Sequence, residues 1–136
     1  MPLQSFYPVL LADDVEESAR FFKEHLGFAP TFEGDWYVSL RHRENPVYEL
    51  AIISYDHETI PEGARRPTSA LLLNFEVPSA EDEYGRLQAL GIEILQPLED
   101  LPTGQRHFIC RAPGGLMVDI IQEILPDAEF AGQYID

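Results

Sequence analysis

The chain has 136 residues, 45% of them hydrophobic, and a formal net charge of −15. That is the size of one ordinary domain with enough apolar side chains for a core, which excludes a disordered chain. The charge repels nucleic acid and anionic membrane and attracts cations, so neither nucleic acid nor a membrane is an expected partner; the acidity reads chiefly as a solubility feature, with a cationic ligand as the alternative.

Ser5 to Ala12 reads as a first strand, mostly apolar, with Pro8 marking an edge or a bulge because proline gives no ladder donor. Asp13 or Asp14 caps a helix, and Glu17 stands at capping-box distance from Asp14. Val15, Ala19, Phe22 and Leu26 make one buried stripe, and Gly27 ends the helix. Three strand-like runs follow at Phe28 to Glu33, Trp36 to Arg41 and Val47 to Ser54, with turns at Glu33-Gly34-Asp35 and Glu44-Asn45-Pro46. Tyr55 to Thr68, with Pro61, Gly63 and Pro67, reads as a linker containing a short helical turn and solvated Arg65 and Arg66.

The order then repeats. Ser69 to Val77 is a strand and Ser79 an N-cap. Ala80, Tyr84, Leu87 and Leu90 form the helical stripe, and Gly91 closes it. Strands are expected at Ile92 to Gln96, Gln105 to Arg111 and Leu116 to Glu123, with Leu98 to Gly104 a longer loop and Ala112-Pro113-Gly114-Gly115 a tight turn. Pro126 to Asp136 is a polar tail whose Phe130 and Tyr134 are placed to pack on a neighbouring surface. An internal repeat fixes architecture before any other argument. The expectation is one α+β domain over 1–136: module one 5–54, linker 55–68, module two 69–124 and C-terminal tail 125–136, each module a βαβββ unit.

The last strand of each copy carries one carboxylate amid apolar residues, Glu49 and Asp119, which the reading sets at matching positions. Side chains alternate along a strand. Leu50 and Ile52, and in copy two Val118 and Ile120, should pack beneath the helices, leaving Glu49 and Asp119 on the opposite, concave face. Each acid stands either as a ligand contact or as the partner of a neighbouring Arg, His or hydroxyl. Arg41, His42, Arg43, Arg106, His107 and Arg111 read chiefly as salt-bridging strand residues, with Arg106 and His107 as ligand contacts in the alternative. Phe32, Trp36, Tyr37, Tyr48, Tyr55 and Phe108 read chiefly as packing residues; in the alternative, Phe32 and Trp36, which flank the acidic turn at Glu33 and Asp35, suit a flat cationic guest. Cys110, the single cysteine, excludes an intrachain disulfide and reads as a buried inert thiol in a reducing cytoplasm. No positively charged leader and no run long enough to cross a bilayer is read, so a cytoplasmic location is expected.

Pro8 to Val15, Phe21-Phe22 and Leu26-Gly27-Phe28 resemble the opening segment of the vicinal oxygen chelate superfamily, which includes glyoxalase, extradiol dioxygenases and bleomycin-resistance proteins. Gly104 to Phe108 followed by Arg111 to Gly115 resembles the closing segment of the bleomycin-resistance branch, with Ala112 where that branch has Asp and Leu116 where a polar residue is common. The resemblance covers about Phe6 to Glu123. It implies two modules forming a U-shaped, half-barrel mixed sheet with helices outside, and a homodimer.

Metal enzymes of that superfamily take one ligand from the first and one from the last strand of each module. The resemblance places these on Tyr7, Glu49, Leu72 and Asp119, of which Leu72 offers no donor, so neither a metal nor another cofactor is expected. The function expected is a non-enzymatic binder of a small cationic or aromatic molecule in a cleft between modules. Tyr7, Phe32, Trp36, Glu49, Arg106, Phe108 and Asp119 are its candidate ligand contacts, and no catalytic residue is assigned. The alternative is a divalent-metal lyase, isomerase or dioxygenase using Glu49 and Asp119.

Overall fold

A computed structural model describes residues 1–135; Asp136, the end of the expected tail, lies outside the described residues. The elements run β1 (Val9–Ala12), α1 (Val15–His25), β2 (Phe28–Glu33), β3 (Tyr37–His42) and β4 (Glu49–Ser54), then β5 (Leu72–Glu76), α2 (Ala80–Ala89), β6 (Ile94–Leu101), β7 (Gln105–Arg111) and β8 (Met117–Glu123). A short α3 (Ala128–Ala131) follows. The fold is α+β, two tandem βαβββ modules with one four-stranded mixed sheet each, ordered β1-β4-β3-β2 and β5-β8-β7-β6. In each sheet the first strand runs parallel to the last and the other pairings are antiparallel. Two compact units result: Met1–Ser69 with Ala112–Gly115, and Ala70–Arg111 with the described residues from Leu116 onward.

The caps form as the sequence predicts. Asp14 accepts from the Glu17 N–H at 3.0 Å and Ser79 from the Asp82 N–H at 3.2 Å, each satisfying a donor the helix start leaves open. Gly27 leaves α1 at φ 77°, and a Cβ there would stand 2.9 Å from His42 Nε2, so glycine is required for both backbone and space.

In the first unit Phe22 of α1 meets Phe28 edge to face at 5.9 Å, and Phe28 lies opposite His42 in the ladder. That assigns Leu40, Leu50 and Ile52, all buried, to the helix-covered face of the sheet. In the second unit Tyr84 of α2 meets Phe108 at 5.0 Å, and Phe108 pairs with Ile120 and Cys110 with Val118. The expected stripe of α1 is wholly buried. In α2 Leu90 departs from expectation and is exposed, because it sits at the C-cap beyond the last full turn.

Several boundaries move for local reasons. β1 starts at Val9 rather than Ser5; Pro8 has no N–H to give, although its carbonyl still accepts from Ala51. β3 starts at Tyr37 rather than Trp36. β4 starts at Glu49 rather than Val47, because the Asn45 side chain and carbonyl take the Val47 and Tyr48 N–H groups into a turn. β5 is confined to Leu72–Glu76 rather than 69–77, with Ala70 at φ 55° before it.

β6 is the largest correction. It runs from Ile94 to Leu101, through most of the expected loop, with its register broken on both sides of Gln96, where Pro97 removes a ladder donor. β8 starts at Met117 rather than Leu116. The linker contains its helical turn at Glu62–Ala64, but Arg65 is half-buried, donating to the Ile60 carbonyl at 2.8 Å. In the tail the Tyr134 hydroxyl donates to the Thr103 carbonyl and accepts from Gln105 Nε2.

Candidate functional site

The ladder corrects the pairing of the two acids. Counting back equally from the N-caps Asp14 and Ser79, Leu10 corresponds to Phe75. These pair with Ile52 and Ile120. Two equivalences follow: Ala51, opposite Val9, matches Asp119, opposite Asn74; Glu49, opposite Arg41, matches Met117, opposite Arg111. Glu49 and Asp119 are therefore not pseudo-symmetric. Hydrogen-bonded register sets equivalence, and being the lone acid in an apolar run does not.

Both acids do lie on the sheet faces away from the helices, as alternation requires. Their surroundings differ. Glu49 accepts from Arg41 Nε at 2.8 Å in a partly exposed pair. Asp119 is 6% exposed and lies 2.8 Å from Nδ1 of His107, itself 8% exposed. A carboxylate only accepts, so this bond puts the hydrogen on Nδ1 of the imidazole. His107 Nε2 is buried without a hydrogen-bond partner, and Glu99 Oε1 stands 3.9 Å from it.

The remaining candidates scatter. Arg106 pairs with Asp100 at 2.7 Å, which raises its own pKa and holds the Asp100 carboxyl below the usual carboxylate range. Phe108 is fully buried beneath α2, on the face opposite Asp119. Arg111 pairs with Glu93. Cys110 is buried, and burial pushes its thiol up to about 11, so thiolate is scarce at neutral pH. Tyr7 is exposed before β1, next to the Pro8 carbonyl that Ala51 binds.

Phe32 and Trp36 belong to a cluster that the sequence shows only in part. Phe32 is 56% and Trp36 46% exposed. Tyr37 lies between them, 6.2 Å from Phe32 and 5.8 Å from Trp36. Tyr37 pairs with Ile53 and Phe32 with Ser39, so both rings stand on the sheet face that carries Glu49 and Ala51. His57, from the turn after β4, stacks on Trp36 at 3.8 Å and 7°. Trp36 and His57 are far apart in sequence, and nothing in the local pattern of either pointed to the other. Glu99 was legible only as a loop residue; the structure sets it opposite His107 in the β6–β7 ladder.

The metal pattern implied by the resemblance does not fit these residues. Tyr7 and Leu72 correspond, and Leu72 has no donor atom. Whichever last-strand pair completes the set, one member is Ala51 or Met117, so at most one carboxylate joins a phenol. A divalent ion needs three or more suitable donors. Among the described residues no group of three or more His, Cys, Asp or Glu is gathered to hold a metal.

The family model described as Glyoxalase/Bleomycin resistance protein/Dioxygenase superfamily matches residues 6–120. No curated protein matches the sequence. Among solved structures, a member of that superfamily from Sphaerobacter thermophilus is 19% identical, with 90% of this chain and 99% of that one covered at a TM-score of 0.74. An antibiotic binding protein from a Streptomyces species is 16% identical, with 90% and 97% covered at 0.71. A lactoylglutathione lyase from Agrobacterium tumefaciens is 16% identical, with 90% and 96% covered at 0.70. At these identities the likeness shows the fold alone. Among the described residues no helix is long and apolar enough to cross a membrane.

Proposed function

The chain belongs to the glyoxalase/bleomycin resistance protein/dioxygenase superfamily, and from that premise we propose that it binds a small planar aromatic molecule without transforming it. The observation that carries this reading is the half-exposed aromatic face of the first module: Phe32, Tyr37 and Trp36, with Trp36 braced by the stacked ring of His57. Such rings offer a flat, apolar surface at low conformational cost, and stacked aromatic pairs gain about 0.5–1.5 kcal/mol beyond area burial. The net charge of −15 and the flanking Glu33 and Asp35 favour a guest that carries positive charge. Tyr7 and Glu49 belong to the same module and are the polar contacts this reading assigns beside the rings.

A metal-dependent lyase, isomerase or dioxygenase is the weaker reading, because Leu72 and the Ala51–Asp119 equivalence leave too few donors. The proposal also takes the protein as a cytoplasmic homodimer. Exposed Phe6, Val9, Val47 and Tyr48 supply apolar surface for a second copy, and light scattering on a gel-filtration column gives the mass.

Trp36 is the only tryptophan, so fluorescence reports this face directly. Planar aromatic cations such as proflavine are expected to quench it saturably, and Phe32→Ala to weaken the binding by about 2- to 10-fold. Absence of quenching and of calorimetric heat across planar compounds, charged and neutral, removes the proposal.

A further inference from the structure

The second module holds one buried acceptor without a partner, beside an exposed carboxylate, that the aromatic face does not use. Asp119 takes the Nδ1 hydrogen of His107, so in the neutral ring Nε2 carries a lone pair. That nitrogen is buried and unpartnered, and the ring is 8% exposed. Leaving such an atom unpaired costs about 1–3 kcal/mol. The Glu99 carboxylate stands 3.9 Å away, too far for a hydrogen bond and itself an acceptor. Ile121, opposite His107, and Ile109, opposite Asp119, give the same face apolar walls. Glu76, across from Ile121, and Glu123 add negative charge, strongly enough that Glu123 raises the Glu76 carboxyl pKa.

Two acceptors 3.9 Å apart call for one donor with at least two hydrogens. The buried nitrogen leaves no open space beside it, so the exposed Glu99 side chain swings aside to admit the amine; an ammonium nitrogen about 2.8–2.9 Å from both atoms then closes the span with an angle of ~90° at nitrogen, within the range of charge-assisted bonds. A tetrahedral zinc ion with bonds of about 2.0–2.1 Å would need the two atoms near ~3.4 Å. The apolar walls favour carbon behind the charge. We propose that His107 Nε2 and the Glu99 carboxylate form a receptor for the primary ammonium group of an alkylamine, with Asp119 as a positioning residue that fixes the imidazole tautomer.

The inference deepens the small-molecule reading and rests on it, and its test reads a different module. Butylammonium chloride is titrated into the protein while imidazole nitrogens are followed by long-range proton–nitrogen NMR. The expected result is Nδ1 protonated in the free protein, a saturable shift at His107 Nε2, and weakening of about tenfold or more in Glu99→Gln, whose exposed site leaves folding intact. 1-Butanol and tetramethylammonium, which lack the charge or the N–H donors, leave Nε2 unmoved. The proposal is overturned if free His107 carries its hydrogen on Nε2, if butylammonium causes no shift through the millimolar range, if the two controls act equally, or if only zinc chloride shifts the signal. Butylammonium has no ring, and a neutral planar aromatic has no amine. Failure at His107 with quenching at Trp36, or the reverse, therefore separates the two proposals.

Discussion

Alanine at Asp119 and alanine at Glu49 should give unequal losses of stability, and the difference follows from burial. Asp119→Ala deletes the acceptor of a 2.8 Å bond between two side chains about nine-tenths buried, and leaves both nitrogens of His107 unpaired. Losing a hydrogen bond to a charged group and stranding a buried donor costs about 2–3 kcal/mol. Glu49→Ala breaks a pair in which the Arg41 side chain is half exposed, so water and salt replace most of the interaction. Pairs of that kind contribute about 0–1 kcal/mol. In urea, with a slope of about 2 kcal/mol per molar, the first change lowers the midpoint by about 1 M and the second by less than ~0.5 M. Circular dichroism and Trp36 fluorescence followed against urea measure both. Combining Asp119→Ala with His107→Ala should cost less than the sum of the two single changes, since the two residues share one bond. Equal midpoint shifts for the two alanines, or a double variant that is simply additive, would refute the argument that register and burial separate these acids.

Phe108→Ala should destabilise by about 3–5 kcal/mol, because a fully buried ring in contact with Tyr84 leaves a cavity; thermal unfolding measures it, and a loss below ~1 kcal/mol would move Phe108 out of the core. Cys110 should react with an aromatic disulfide reagent only after urea is added, since it is buried and its thiol is raised to about 11; rapid reaction of native protein counts against that placement. Glu76 has a folded pKa raised above 4.5, chiefly by the Glu123 charge, so its favourable contribution is present below the unfolded pKa and lost as pH rises through the folded one. Glu76→Gln is therefore expected to raise the melting temperature at pH 7 and to have no effect below about pH 4, which calorimetry at the two pH values checks.

Helices and most strands of this chain were legible because their signals are local. A cap, a four-three-four apolar stripe and a closing glycine occupy one stretch of sequence, and Asp14, Val15, Phe22 and Gly27 behave as those rules require. β6 was misread because Glu99, Asp100, Pro102 and Gly104 give Leu98 to Gly104 the composition of a loop; in the sheet the strand continues to Leu101 past a register break at Gln96 that the partner strand spans. The same limit applies to Trp36 and His57, whose contact depends on where a turn after β4 returns the chain.

The pairing of Glu49 with Asp119 failed for a deeper reason. The sequence marks both acids by contrast with their neighbours, and contrast is the same at every position of a buried strand. Register is a relation between strands, and here it is set by β1 and β5, whose partners are displaced by two residues relative to the acids. A shift of two keeps a side chain on the same face, so the face was read correctly while the equivalence was not. That error matters chemically. Two symmetric carboxylates would describe one shared cation site, whereas the ladder separates a solvent-screened Glu49–Arg41 pair in one module from a buried His107–Asp119 dyad in the other. Of these two pairs, among the described residues, the dyad is the one with a buried polar atom left unanswered, and such an atom is what a ligand can be selected by. Under the two proposals, ring stacking falls to the first module, and a fixed imidazole lone pair with a neighbouring carboxylate to the second.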